Sequence, residues 1–149
     1  CTPEHYARLA EIPRINGVKE ASGDISQVSR TRHLCGDALN IWSGNDDQTL
    51  PMLALGAKGV ISVASNIVPQ VMATLCAAAL SGDFFTARAI HEAYAGLFDA
   101  LFYEVNPIPV KTAMQMLGWD SGRLRLPLCP MAEGNAAKLQ NCLESLQLL

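Results

Sequence analysis

Hydrophobic positions along the chain follow two different spacings. Short apolar runs end near Lys19, span Leu39–Gly44 and span Gly59–Val63, and each run is bounded by small or polar residues, which predicts three short strands. The β-branched run Gly59–Val63 is of the kind that is buried on both faces of a sheet.

Between and after these runs, apolar residues recur three and four positions apart, which predicts helices. Asp24 or Ser22 is expected to cap the helix after the first strand, and Gly36 to end it. The predicted helices are Pro3–Glu11, Ile25–Cys35, one from Asn45–Asp47 to Leu55, one with Pro69 in its first turn that ends at Ser81–Gly82, one opened by Asp83, one from Asn106 to Leu117, and a last one carrying Leu139, Leu143 and Leu146.

The order of these elements predicts an α/β fold with two parts. Strands and helices alternate with short connections up to Gly82, which favours a parallel sheet with crossover helices. After Gly82 only helices follow. We therefore expect an α/β domain over residues 1–82 and a helical domain over residues 83–149.

The length, hydrophobic content and charge of the chain narrow the classes of protein to which it can belong. The chain has 149 residues, of which half are hydrophobic, so it can bury a sizeable core. Its formal net charge is −3 and its lysines and arginines are scattered, so we expect no nucleic-acid partner. Its apolar stretches are interrupted before the roughly 18 residues that a membrane span requires, so we expect no membrane partner.

The five cysteines do not suggest a metal site or a disulfide framework. They are far apart, with no Cys-x-x-Cys pair and no histidine at ligand spacing. We interpret them as reduced thiols of a cytoplasmic protein, and we expect no metal.

Lys19 is the candidate nucleophile, because it ends a predicted strand just before a turn. In sheets whose strands alternate with helices, catalytic groups collect where the loops after the strands converge. Apolar strand neighbours around a lysine stem disfavour the charged ammonium, and the neutral amine can then attack a carbonyl to form a Schiff base. The alternative is a solvated ion pair between Lys19 and Glu20.

The octapeptide Gly17–Asp24 resembles the Schiff-base segment of the pyruvate-dependent class I aldolases, most closely the dihydrodipicolinate synthase family. Further segments resemble that family in the same order, and the resemblance extends over essentially the whole chain. These segments are Trp42–Asp47, Gly59–Val63, Asn106–Lys111 and Leu124–Leu128.

The resemblance implies the C-terminal part of a (β/α)₈ TIM barrel, comprising strands six to eight with their helices, followed by a C-terminal helical domain. A complete barrel takes about 250 residues, so the chain is expected to be the C-terminal half of a larger enzyme and to be inactive alone. The expected partner is the N-terminal half of the barrel or a second copy, in a homo-oligomer.

The resemblance also implies a mechanism. Lys19 would form an imine with pyruvate, and the derived enamine would condense with aspartate semialdehyde to give 4-hydroxytetrahydrodipicolinate in lysine biosynthesis. Backbone groups of Gly44 and Ile61 would line the pyruvate site, and no cofactor would be needed. The proton-transfer residues of the family, a tyrosine and hydroxyl residues on earlier strands, are absent from this sequence.

Other interpretations of the same residues stay open. The chain could be another pyruvate-dependent aldolase, of the N-acetylneuraminate lyase or 2-keto-3-deoxy sugar acid aldolase type, or a non-catalytic oligomerisation module. Gly44 could serve only a tight turn, and Ile61 only a barrel core. Asp46 and Asp47 are better interpreted as helix-capping residues than as a catalytic pair.

Overall fold

The computed structural model describes residues 1–149 and contains seven α-helices and two parallel strands. In chain order these are α1 (Pro3–Ala10), β1 (Gly17–Glu20), α2 (Ile25–Cys35), β2 (Asn40–Ser43), α3 (Thr49–Ala54), α4 (Pro69–Leu80), α5 (Phe84–Ala100), α6 (Ile108–Met116) and α7 (Glu133–Ser145). Three short 3₁₀ turns occupy Gly36–Ala38, Asp46–Gln48 and Ala64–Asn66. The α/β class predicted from the sequence is confirmed.

The ends of α2 are set by two residues that the sequence singled out. Asp24 Oδ1 accepts hydrogen bonds from the backbone N–H groups of Ser26 at 2.8 Å and Gln27 at 3.2 Å, which satisfies two donors that the first helical turn leaves free. Gly36 follows the last helical residue with a φ of 53°, a conformation that a side chain disfavours. The predicted boundaries of this helix are confirmed.

The sheet consists of β1 and β2 in parallel register, which pairs Lys19 with Trp42 and Glu20 with Ser43. Val18 and Ile41 lie on one face of the sheet and pack with α2 and α3. Together they belong to a core cluster whose buried members are Val28, Ile41, Met52 and Ala57. These contacts hold α2 and α3 against one face of the sheet.

The prediction of a third strand over Gly59–Val63 is wrong. Only Val60 forms a bridge, to Ser43. The segment does run parallel to β2, since Lys58 N–H donates to Ile41 O and Ile61 N–H donates to Ser43 O, both at 2.8 Å. The pairing is brief because the chain leaves β2 after Ile61 and enters the 3₁₀ turn at Ala64–Asn66.

The region after β2 also differs from the prediction. The helix expected from Asn45 begins as the 3₁₀ turn Asp46–Gln48, and the Asn45 side chain makes no capping hydrogen bond. Ser43 Oγ instead donates to Asn45 O at 2.7 Å and accepts from Asn45 N–H at 3.2 Å. A side chain on the strand therefore fixes the start of this turn.

The chain divides into two compact units, Cys1–Ser62 with Ala73–His91, and Val63–Met72 with Glu92–Leu149. The first contains the sheet and a second core cluster whose buried members are Leu53, Leu75, Ala79 and Ala87. The domain division at residue 82 stays a prediction. No helix of the chain is both long enough and apolar enough to cross a membrane.

The second unit is helical, and one glutamate outside α7 holds the start of that helix. Glu104 Oε1 accepts hydrogen bonds from Ala132 N–H at 3.0 Å and from the Asn135 side-chain amide at 2.8 Å. A carboxylate at a helix N-terminus offsets both the free N–H groups and the helix dipole. The last helix is thus capped by the loop between α5 and α6.

Two buried threonines in the first unit should change the free energy of unfolding in opposite directions when each is replaced by valine. Thr31 is 1% exposed and its hydroxyl has no hydrogen-bond partner, whereas Thr49 is fully buried and donates to Asn45 O at 3.3 Å. Thr31→Val removes an unsatisfied polar group without changing the volume, so we expect a gain of about 1 kcal/mol in the free energy of unfolding.

Thr49→Val is the matched control and should lose about 0.5–1 kcal/mol, because it gives up a hydrogen bond. Urea denaturation followed by circular dichroism measures both variants. A Thr31→Val chain less stable than the wild type would contradict the assignment of Thr31 as unsatisfied.

Candidate active site

Three chain segments end at the same edge of the sheet. Glu20 O accepts a hydrogen bond from Gly44 N–H at 2.8 Å, so the pairing of β1 with β2 continues one residue past β2. Ser43 O accepts from Ile61 N–H at 2.8 Å, which brings the third segment alongside. The carboxyl ends of all three segments are therefore neighbours.

The predicted site residues lie on one face of this edge. Side chains alternate between the two faces of a strand, so Lys19 points away from the helix-packed face that Val18 occupies. By the same alternation, Gly44 and Ile61 fall on the face of Lys19. The structure thus brings Lys19, Gly44 and Ile61 together.

Gly44 is the point over which the lysine passes. A Cβ atom added to Gly44 would stand 2.9 Å from Lys19 Cε, 3.2 Å from Lys19 Cγ and 2.5 Å from Ala21 Cβ. Real Cβ atoms do not approach carbon atoms so closely, so a side chain at this position would displace its neighbours. The absent side chain of Gly44 leaves the path along which the Lys19 stem extends.

The expectation of an apolar enclosure around Lys19 is wrong for this chain. Lys19 is exposed, and Ile61, on the same face, is 50% exposed. The helices pack only against the opposite face, where Val18 and Ile41 lie. The Lys19 side chain is therefore open to water in this chain.

The backbone groups of Gly44 and Ile61 are only partly available to a ligand. Both N–H groups are already donated, to Glu20 O and to Ser43 O respectively. A molecule bound above this edge would therefore meet their carbonyl oxygens or Cα atoms rather than their N–H groups. That these residues contact pyruvate stays a prediction.

Glu20 is a structural feature of the site that sequence reasoning missed. It is 5% exposed, and its carboxylate accepts hydrogen bonds from Ser22 N–H at 2.7 Å and from Gln27 Nε2 at 3.1 Å. The Tyr6 hydroxyl faces the same carboxylate and helps to lower its pKa. The alternative interpretation, a solvated ion pair between Lys19 and Glu20, is therefore wrong. The available signal was strand alternation, which places consecutive residues on opposite faces.

The ionisation of Glu20 reflects this environment. Burial by itself raises the pKa of Glu20, but the hydrogen bonds from Ser22, Gln27 and Tyr6 favour the ionised form more strongly and hold its pKa below the ordinary value of 4.5. Burial, and then the adjacent carboxylate, raise the pKa of Tyr6 above 10.0. Tyr6 therefore keeps its proton beside the Glu20 carboxylate.

Asp46 and Asp47 do not form a carboxylate pair in one pocket. Asp46 is 1% exposed whereas Asp47 is exposed to solvent. The negative charge of Asp46 contributes, after burial, to raising the pKa of the Cys76 thiol. The structure contains no cluster of three or more histidine, cysteine, aspartate or glutamate side chains placed to hold a metal ion.

A lysine laid across a glycine at the carboxyl edge of a parallel sheet stands where catalytic groups collect in such folds. Comparison with known proteins gives the family directly. Residues 1–146 match the sequence model of the Dihydrodipicolinate synthetase family, so the chain belongs to this family.

Curated relatives agree with this assignment. The chain is 49% identical over 147 residues to 4-hydroxy-tetrahydrodipicolinate synthase of Geobacter sulfurreducens, covering 99% of this chain and 51% of that protein. It is 50% identical over 147 residues to the protein of the same name from Thermodesulfovibrio yellowstonii, covering 99% and 50%. The chain therefore spans about half the length of the curated relatives it matches.

Solved structures share the fold. Dihydrodipicolinate synthase from Aquifex aeolicus superposes with a TM-score of 0.96 at 43% identity, over 99% of this chain and 50% of that one. The Thermotoga maritima protein gives a TM-score of 0.95 at 44% identity, over 99% and 51%. The fold of residues 1–149 is therefore that of half of a dihydrodipicolinate synthase chain.

The buried carboxylate predicts how stability changes with pH. Because the pKa of Glu20 is lower in the folded chain than its ordinary value of 4.5, its ionised form contributes stability that is present above that value and is lost as the pH falls through the folded pKa. In urea denaturation between about pH 6 and pH 3, the wild type should lose stability more steeply than Glu20→Gln. Parallel curves would contradict the assigned direction.

Proposed function

We propose that this chain supplies the imine-forming part of a 4-hydroxy-tetrahydrodipicolinate synthase, with Lys19 as the nucleophile. The observation that carries this proposal is the Lys19 stem extended across Gly44 at the edge where three segments end. Support also comes from the names of relatives that are 49% and 50% identical over nearly the whole chain.

In the proposed reaction, the neutral amine of Lys19 attacks C2 of pyruvate, and the keto oxygen leaves as water to give an imine. The imine withdraws electrons, so the methyl carbon loses a proton and becomes an enamine. That carbon bonds to the aldehyde carbon of aspartate semialdehyde. The amine of this second substrate then attacks the imine carbon and releases Lys19, closing the ring of 4-hydroxytetrahydrodipicolinate.

Gly44 and Ile61 are proposed to line the pyruvate site beside the lysine. Gly44 allows close approach because it has no side chain, and both residues offer carbonyl oxygens because their N–H groups are already paired. Neither residue is assigned a chemical step. Proton transfers need a positioned acid and base, which we assign to the remainder of the enzyme.

We propose further that β1, β2 and the segment ending at Ile61, which pairs with β2 only at Val60 in this chain, occupy the positions of strands six to eight of a (β/α)₈ barrel. The chain spans about half of its relatives, and the face that carries Lys19 and Ile61 is uncovered. The remaining strands would cover this face and exclude water from the Lys19 amine, either from an N-terminal half or from a second copy in a homo-oligomer. Five unpaired cysteines fit a reducing compartment such as the cytoplasm.

Borohydride trapping tests the nucleophile. The chain is incubated with pyruvate and borohydride, both alone and after co-production with the half of the Geobacter sulfurreducens relative that it does not match, hereafter the reconstituted protein. Peptide mass spectrometry should find a mass increase of one pyruvic acid less one oxygen atom on Lys19 of the reconstituted protein. Lys19→Ala should lose the adduct, and Lys58→Ala, which removes another exposed lysine of the same unit, should keep it.

Two glycine-to-alanine substitutions add a second comparison to the same trapping experiment. Gly44→Ala should slow trapping at least about tenfold, since its Cβ would displace Lys19. Gly96→Ala is the matched control, because nothing lies within 4 Å of the added Cβ. An adduct on a lysine other than Lys19, or no adduct in either preparation, would overturn the proposal.

A further inference from the structure

A partly buried cluster of polar side chains, centred on the buried Glu20, lies directly behind the candidate nucleophile. Its members are Tyr6 on α1, Glu20 at the end of β1, and Gln27 on α2. Lys19 and Glu20 are consecutive but point to opposite faces of the sheet. The cluster therefore does not reach the reacting atoms and can act on them only through the backbone.

Hydrogen bonds hold Glu20 both at its backbone carbonyl and at its side-chain carboxylate. Its backbone carbonyl accepts the Gly44 N–H at 2.8 Å, and its carboxylate accepts the Ser22 N–H at 2.7 Å. Between these two contacts stands Ala21, whose Cβ lies 2.5 Å from the position of a Cβ on Gly44. Ala21 and the Lys19 stem thus share the space above Gly44, and Glu20 fixes the path of the backbone that carries both.

The carboxylate itself is fixed by neutral donors from two helices. Gln27 Nε2 donates to it at 3.1 Å, and the Tyr6 hydroxyl faces it and helps to lower its pKa. Burying a carboxylate is costly unless its oxygens are hydrogen-bonded, so the cluster holds together only when these donors are in place. This arrangement ties α1 and α2 to the end of β1.

We infer that Glu20 is a positioning residue, held by Tyr6 and Gln27, that fixes the direction in which Lys19 crosses Gly44. This inference rests on the proposed function, because the direction of the amine matters only if Lys19 attacks a bound carbonyl. An error of about 1 Å in the placement of a reacting group lowers rates by up to about a hundredfold, so a positioning role is measurable as a rate.

The test compares rates of imine trapping in the reconstituted protein. Tyr6→Phe removes one oxygen atom from the cluster and leaves the ring in place, and Glu20→Gln keeps the shape but not the charge. We expect Tyr6→Phe to lower the limiting trapping rate at saturating pyruvate by about tenfold, with little change in the pyruvate concentration at half-maximal rate. Glu20→Gln should retain more of the rate than Glu20→Ala, because an amide oxygen can still accept the Ser22 N–H.

Asp37→Asn is the control for the change of carboxylate to amide. Asp37 also accepts a side-chain hydrogen bond, from Arg32 at 2.6 Å, but it lies just after the other end of α2. The Asp37→Asn variant should form the adduct at the wild-type rate. Thermal unfolding of every variant is measured in parallel. The limiting trapping rate of Tyr6→Phe should fall although its melting temperature stays close to that of the wild type.

Two other outcomes are distinguishable. If the wild type forms the Lys19 adduct and both Tyr6→Phe and Glu20→Gln form it at the wild-type rate, the positioning role is overturned while the proposed function stands. If the wild type forms no adduct at Lys19, the proposed function fails, and the positioning role fails with it. Should Glu20→Gln not fold, Tyr6→Phe alone decides between these outcomes.

Discussion

The parallel pairing of β1 with β2 is the constraint on which the rest of the site depends. One hydrogen bond of 2.8 Å, from Gly44 N–H to Glu20 O, extends that pairing beyond β2 and places Gly44 beside Lys19. A shift of one residue in register would turn Lys19 against the helices and Glu20 toward the open face. The helices maintain the register, since Val18 and Ile41 can be buried only on their side of the sheet.

The two faces of this small sheet have different roles. The helix-packed face carries the core cluster and the buried carboxylate of Glu20. The opposite face carries the exposed Lys19 and the half-exposed Ile61. This asymmetry accords with a chain that spans about half the length of its curated relatives, whose remaining half is proposed to cover the face that carries Lys19.

Much of the fold could be predicted from local signals. Asp24 and Gly36 bound a helix for reasons that act within a few residues, and these predictions are confirmed. The strand predicted at Gly59–Val63 failed because a strand requires a paired neighbour over several residues, which the apolar pattern cannot supply. The cluster on Glu20 was missed because Tyr6 and Gln27 approach it only after three elements have packed together.

The central claim is that Lys19, extended across Gly44, forms a covalent bond to a small 2-oxo acid. A crystal structure of the reconstituted protein soaked with pyruvate tests this most directly. The account predicts continuous electron density from Lys19 Nζ to C2 of the ligand, with the ligand above Gly44 and within contact of the Ile61 backbone. Pyruvate bound without a link to Lys19, or linked to another lysine, would contradict it.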